Sequence, residues 1–265
     1  MGQEKIIVCS WNVNSIRARI LIFKEWIKEK KPDIILLQEI KARNEAFPYQ
    51  DLAEFNYNII VNGQKSYNGV AIMSKYPISD VQTSFGKTEE EIPQARYIEG
   101  WINFKNKGLR VASVYAPNGN PVGTEKYKYK LDWLKVFTKY AQKKIEEEEL
   151  FLFGGDFNIC PYKIDTANEN MVEDDAIYQE EVKYIYKKIL NYGYFDAFRC
   201  LNESQPGFTY WDYGQAFPNN LGVRIDHFLL SSYAMDKCDK VYVDIEQRKK
   251  NKPSDHAPLI AEFSF

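Results

Sequence analysis

Residues 6–39 read IIVCSWNVNSIRARILIFKEWIKEKKPDIILLQE. One short apolar run, Ile6 to Cys9, opens the stretch, and a second, Ile34 to Leu37, closes it. Both have strand length and are bounded by polar or turn-forming residues. Between them Ile16, Ile20, Phe23, Trp26 and Ile27 recur at spacings of three and four, which predicts one apolar face of a helix. Lys30-Lys31-Pro32 ends that helix, because proline lacks an amide hydrogen and its ring crowds the preceding turn. A strand, a helix and a strand in succession leave room for a crossover, so the two strands can run parallel.

Working outward, strand-like runs recur at Tyr57 to Val61, Val70 to Met73, Tyr97 to Phe104, Leu109 to Tyr115 and Leu150 to Phe153. Further runs follow at Arg224 to Leu230, Lys240 to Val243 and Leu259 to Phe263. From Tyr57 to Thr83 the runs follow one another too closely for a helical crossover, which predicts antiparallel pairing. Helical spacing returns at Tyr129, Trp133, Val136, Phe137 and Tyr140, and again from Ile177 to Leu190. The pattern predicts an α/β chain with two packed mixed sheets flanked by helices. No Pro/Gly/Ser-rich linker and no short repeat divides it, so residues 1–265 read as a single domain.

Composition narrows the function classes. Hydrophobic residues make up 45% and charged residues 27%, which excludes general disorder. The 35 Lys+Arg against 37 Asp+Glu give a net charge of -2, which argues against binding nucleic acid by bulk positive charge. Net charge does not locate the charges, however. No membrane-length apolar run and no secretory signal are expected, so the reading is a cytoplasmic protein, nucleoid-associated if bacterial. Cys9, Cys160, Cys200 and Cys238 are scattered and read as reduced thiols, and two histidines are too few for a His-rich zinc site.

The informative residues are polar groups at the ends of apolar strands. Asn12 and Asn14 follow the first run, Gln38-Glu39 the second, Tyr115-Ala116-Pro117-Asn118 another and Asp156-Phe157-Asn158 a fourth. Ser254-Asp255-His256 precedes the last strand. An Asn or Asp after a strand is commonly a turn or cap residue. Five such ends in one chain, supplying carboxylates, amides, a phenol and an imidazole, point to a site. Oxygen ligands suit a hard divalent cation, and an imidazole exchanges a proton near neutrality. Metal-assisted attack of water on a phosphodiester needs that set. Asp226 lies within an apolar strand and predicts an imidazole partner from elsewhere, whereas alternation puts His227 on the opposite face.

Together, SWNVNSIRAR (10–19), LQEIK (37–41), YAPNG (115–119), GGDFNI (154–159), WDY (211–213), RIDH (224–227) and SDH (254–256) resemble the exonuclease III family of apurinic/apyrimidinic endonucleases. That is a branch of the endonuclease/exonuclease/phosphatase superfamily, and the resemblance spans nearly the whole chain. It implies a four-layered α/β sandwich and a Mg²⁺-dependent nuclease, with Mn²⁺ as an alternative ion. The implied activity is cleavage 5′ to abasic sites in duplex DNA, with action on 3′ ends, by a monomer without a membrane partner. Glu39 is implied as principal metal ligand, with Asn12, Asn14, Asp156, Asn158, Asp255 and His256 on or near the metal. Asp156 is implied to activate water or protonate the leaving group, and Asn158 to position nucleophile and phosphate. His256, oriented by Asp226, is implied as base or phosphate-binding group. Tyr115 and Asn118 are implied to stabilise the pentacovalent phosphorus.

Arg17, Lys41, Lys65, Tyr67, Asn68 and Arg96 sit in or beside motif loops and are expected at DNA. Tyr210, Trp211 and Val223 resemble the segments that wall an abasic-sugar pocket, although Trp211 equally suits a core strand. Val223 stands where several members carry Trp, and Pro121 where some carry an inserting Arg, which bears on the balance between abasic sites and 3′ termini. Lys126, Lys128 and Lys130 interleave with Tyr127 and Tyr129, which suits DNA contact or a solvated helix face equally. A lipid, inositol-phosphate or RNA phosphodiesterase of the same superfamily is the alternative.

Overall fold

The computed structural model describes residues 4–85, 94–105 and 107–265. One sheet contains β1 (Lys5–Asn12), β2 (Ile34–Gln38), β3 (Asn58–Asn62), β4 (Val70–Ser74), β11 (Cys238–Val243) and β12 (Leu259–Ser264). Its order is β11-β12-β1-β2-β4-β3. The other contains β5 (Ile78–Gln82), β6 (Tyr97–Phe104), β7 (Lys107–Tyr115), β8 (Phe151–Asp156), β9 (Phe195–Asp196) and β10 (Asp226–Leu230), in the order β5-β6-β7-β8-β10-β9. The helices are α1 (Ile20–Lys30), α2 (Tyr49–Leu52), α3 (Glu125–Ile145), α4 (Glu180–Asn191), α5 (Ala197–Leu201) and α6 (Ser232–Met235).

Strand alternation builds the layers. Ile34 and Leu36 join Ile6 and Val8 in a cluster with Ile98, Leu109, Val111, Leu152 and Phe228, between the two sheets. Ile35 and Leu37 point the other way, with Cys9 and Trp11, against Phe23, Trp26 and Ile27 of α1. On the far side Ala112, Val114 and Phe153 meet Trp133, Phe137, Ile185 and Ile189 of α3 and α4. The result is helix, sheet, sheet, helix. Strands covered on both faces need continuous apolar runs, which is why residues 34–37 read IILL.

β1 and β2 pair in parallel, and β3 pairs antiparallel with β4, as the sequence predicts. β5 instead leaves that sheet and pairs with β6. Three further boundaries differ. α1 begins at Ile20, because Asn14 and Ser15 take positive φ and hold buried Ile16 in a turn. α4 begins at Glu180, since the Gln179 side chain donates to the Glu173 and Asp175 carbonyls and closes the preceding loop. β10 begins at Asp226, because the Arg224 amide donates to the Asp165 carbonyl rather than to a ladder. No helix among the described residues is long and apolar enough to cross a membrane. The four cysteines are free thiols.

Candidate active site

Strand register collects the polar strand ends at one edge of the sandwich. Asn12 is opposite Gln38 in the parallel β1–β2 pair, so Glu39 emerges beside it. Tyr115 is opposite Asp156 in the parallel β7–β8 pair, and antiparallel β10 sets Asp226 opposite Asp156. A side chain on Gly155 would collide with the Val114 carbonyl, so β7 and β8 close up here only because the residue before Asp156 has none. The two sheets are tied just beneath by buried Gln38, whose Nε2 donates to Ser113 Oγ at 2.9 Å.

An unbroken line of contacts crosses the site. Asn12 Nδ2 donates to Glu39 Oε1 and to Asp156 Oδ2, both at 2.9 Å. The same Asp156 oxygen lies 3.7 Å from His256 Nε2, and His256 Nδ1 lies 2.8 Å from Asp226 Oδ2. The Asn12 amide orientation follows from its surroundings: Oδ1 accepts the Asn14 N–H at 3.0 Å, leaving the NH₂ for the two carboxylates. Asn12 therefore spaces Glu39 from Asp156, and its oxygen is already engaged. Asp226 finds the imidazole its apolar strand demanded. Its other oxygen, Oδ1, is buried without a hydrogen-bond partner among the described residues.

The 254–256 loop is held from several sides. Ser254 Oγ donates to the Asn12 carbonyl at 2.7 Å, and Trp11 Nε1 to the His256 carbonyl at 3.1 Å. Buried Arg248 donates to the carbonyls of Ser254 and Trp211. Nothing in the sequence marked Arg248, which sits in an otherwise basic, polar stretch.

Burial and neighbouring charge set the protonation states. Burial raises the Asp156 pKa; the His256 charge opposes it, while Asp226 and Glu39 add to it. Burial alone would lower His256, but Asp226 and Asp156 on either side outweigh it and favour the imidazolium. Burial also works against the Glu39 anion, yet the Asn12 amide and Lys41 ammonium hold its pKa below the ordinary value. Tyr115 is pushed well above 10 by burial and then by Glu39 and Asp156, so it is a phenol donor, never a phenolate.

Beside Glu39 the oxygens converge on positive charge. Lys41 Nζ lies 2.9 Å from Glu39 Oε2 and 2.5 Å from Asn14 Oδ1. Asn14 Nδ2 donates to Asp255 Oδ1 at 3.1 Å, which brings a second carboxylate to this side. Among the described residues no three His, Cys, Asp or Glu side chains form a metal-holding cluster. Of the seven residues expected at a metal, Glu39, Asn12, Asp156 and His256 lie along the contact line, Asn14 and Asp255 lie beside Glu39, and the Asn158 main-chain amide donates to Asp156. A site with one or two carboxylates and oxygen-only donors fits Mg²⁺, which keeps several waters.

On the opposite side Asn158 Nδ2 donates to the Ala116 carbonyl at 2.9 Å, and Asn118 Nδ2 reaches Asn158 Oδ1 at 3.4 Å. The Arg96 guanidinium stacks 4.8 Å from the Tyr115 ring centre. Tyr210 packs its ring 5.0 Å from that of His256.

The residues expected at DNA divide by exposure. Arg17, Lys65 and Tyr67 are exposed; Arg17, Lys41, Arg43 and Lys65 line a recess of about 270 Å³ beside Glu39. Asn68, Trp211 and Val223 are buried in the protein alone. Asn68 is bound by Gln64 and Gln94, and Trp211 packs against Phe208 and Phe217, so these residues shape the surface from beneath. Lys130 is also buried, although Lys126 and Lys128 are exposed; DNA contact by that stretch cannot include Lys130. His227 faces away, as alternation predicts: Nε2 meets the Ile159 carbonyl and Nδ1 meets Arg224. The buried Arg224–Asp165–Asp196 network behind it went unmarked in the sequence, where each residue alone looks like surface charge.

Comparison with known proteins agrees with this fold. Exodeoxyribonuclease III of Haemophilus influenzae is 33% identical over 263 residues, covering 96% of this chain and 98% of that protein. An AP endonuclease structure from Archaeoglobus fulgidus superposes with a TM-score of 0.91 at 35% identity, covering 97% of this chain and 99% of that one. A Neisseria 3′ phosphatase bound to a product DNA hairpin superposes at 0.93 with 31% identity, covering 98% of this chain and 100% of that one. The model of the Endonuclease/Exonuclease/phosphatase family matches residues 9–256, within which every residue of the contact line falls, and the chain belongs to that family of hydrolases.

Proposed function

We propose that this enzyme is a divalent-metal-dependent DNA-repair nuclease that cuts 5′ to abasic sites in duplex DNA and also acts on 3′ ends. The observation that carries the reading is the contact line Glu39–Asn12–Asp156–His256–Asp226 at the sandwich edge. The relatives add the substrate class: an exodeoxyribonuclease, an AP endonuclease and a phosphatase that holds a DNA hairpin.

Glu39, with Asp255 and the Asn14 amide oxygen, would hold the Mg²⁺ or Mn²⁺ ion. When bound, the ion polarises a phosphoryl oxygen and offsets its developing charge. The chain's own groups supply the rest. Asp156, with its raised pKa, exchanges a proton at Oδ2 with the attacking water or the departing oxygen. His256, held charged by Asp226, stabilises that carboxylate and attracts the phosphate. The Tyr115 hydroxyl and the Asn118 and Asn158 amides donate to phosphoryl oxygens. Exposed Arg17, Lys65 and Tyr67 engage the DNA backbone without reading sequence.

The test is product analysis on duplexes carrying a tetrahydrofuran abasic analogue, a nick or a 3′-phosphate, in parallel with lipid and RNA substrates, with Mg²⁺. Incision 5′ to the analogue, abolished by EDTA and reduced at least about 100-fold in Asp156→Asn, is expected. No incision of any DNA substrate, or an Asp156→Asn protein equal to wild type, overturns the reading.

A further inference from the structure

α3 carries a lysine that does not reach solvent. Lys130 has 0% of its surface exposed. Its Nζ donates to three main-chain carbonyls: Asn158 at 2.6 Å, Asn118 at 3.0 Å and Ala176 at 3.0 Å. All three ammonium hydrogens are thereby used. Among the described residues no carboxylate lies within ion-pair distance of it; burial lowers its pKa from 10.5 to about 7, opposed at longer range by Asp175 and Asp156, and the three carbonyl acceptors suit the charged form. Desolvating an ammonium without a paired anion is costly. Leucine or methionine would fill this position, as Leu134 and Phe137 do one and two turns further on, so packing does not explain the lysine.

The carbonyls explain it. Two belong to Asn118 and Asn158, whose side chains adjoin the candidate site and are linked to each other, Asn118 Nδ2 reaching Asn158 Oδ1 at 3.4 Å, while the Asn158 main-chain amide donates to Asp156 Oδ1 at 2.9 Å. The backbone turns sharply here: Asn158 has φ 51° and Gly119 φ 89°. A Cβ on Gly119 would sit 2.5 Å from Lys130 Cδ, so the turn lies directly on the lysine stem. The third carbonyl belongs to a loop that Asn120 ties to the same turn. Asn120 Nδ2 donates to Asp175 Oδ1, and the Ala176 amide donates to Asn120 Oδ1, both at 2.9 Å. One ammonium thus joins the loops after β7 and β8 to the loop before α4.

We propose that Lys130 is a positioning residue for phosphodiester cleavage, its buried ammonium pinning the Asn118 and Asn158 backbones so that this linked pair keeps its place beside Asp156. The inference rests on the nuclease reading and deepens it. It never requires the lysine to touch DNA.

The experiment compares wild type with Lys130→Met and with Lys130→Gln, which keeps two donors should the methionine variant fail to fold. Cleavage of the abasic duplex is measured per folded molecule, and binding of the same uncut duplex in EDTA is measured separately. The expected result is a kcat lowered about 10–100-fold, the scale of a small misplacement of reacting groups, with KM and the EDTA dissociation constant within about threefold. Asn158→Ala is expected to cost less in the Lys130 variant than in wild type, because its amide is already misplaced. A variant kcat equal to wild type, or fully additive effects of the two substitutions, overturns the inference while leaving the nuclease reading intact. A wild-type protein that cuts no DNA overturns both.

Discussion

Asp226 sets one carboxylate oxygen 2.8 Å from His256 Nδ1 and keeps the other buried without a partner among the described residues. The imidazole is therefore this acid's main compensation. Removing it strands a buried charge, which costs about 3 kcal/mol or more. His256→Ala is expected to lose about that much in urea unfolding, and the double variant Asp226→Asn/His256→Ala to recover part of it. A double variant no more stable than His256→Ala would show that Asp226 does not depend on the ring.

Metal binding has a readout independent of catalysis. A ligand that binds only the folded state at 100 times its Kd stabilises by about 2.7 kcal/mol. Mg²⁺ in that excess is expected to raise Tm by roughly 5 °C, and Glu39→Ala to abolish the rise. Lys41→Gln removes the ammonium that occupies Glu39 Oε2 and Asn14 Oδ1. It is expected to shift the Mg²⁺ titration midpoint to lower concentration; an unchanged midpoint would mean that the lysine and the ion use different oxygens.

His227 makes stability depend on pH. Burial first, then the Arg224 charge, lowers its pKa from 6.5 to about 4. Between these values the unfolded chain binds a proton that the folded chain does not. Stability from this group is complete above pH 6.5 and declines as pH falls toward 4, by about 3 kcal/mol in all. Urea unfolding between pH 6.5 and 4.5 is expected to follow this decline, and His227→Gln to flatten it. Equal slopes in the two proteins would contradict the neutral, buried imidazole.

Salt dependence tests the charge distribution. Arg17, Arg43 and Lys65 are the exposed cations lining the recess beside Glu39. With few phosphates neutralised, the slope of log K against log salt is expected near roughly −3 for B-DNA. A slope near −8, measured in EDTA on uncut abasic duplex, would require a larger basic surface than this face supplies.

Much of the fold was legible along the chain. The two apolar runs of residues 6–39, the helical spacing between them and Lys30-Lys31-Pro32 describe β1, α1 and β2, because burial on a single face imposes a period readable in one dimension. Boundaries were less legible where a side chain competes for the backbone, as Gln179 does before α4. The polar strand ends were visible as residue types, since such groups are out of place beside apolar runs. The burial of Lys130 and Arg248 was not, because a lysine in a helix and an arginine in a basic stretch look like exposed charge.

The amino-acid order by itself determined most of the long strands and helices, which acids interrupt apolar runs, and that one imidazole had to come from a distance. Tertiary structure alone decided the partners. Asn12 separates Glu39 from Asp156, Lys41 faces Glu39, and Trp211 and Val223 lie beneath the surface, because strand ends of both sheets and the 254–256 loop converge there. Those pairings join residues remote in sequence, such as Asn12 with Asp156 and Asp226 with His256. Local periodicity carries no information about such distances; register and packing do.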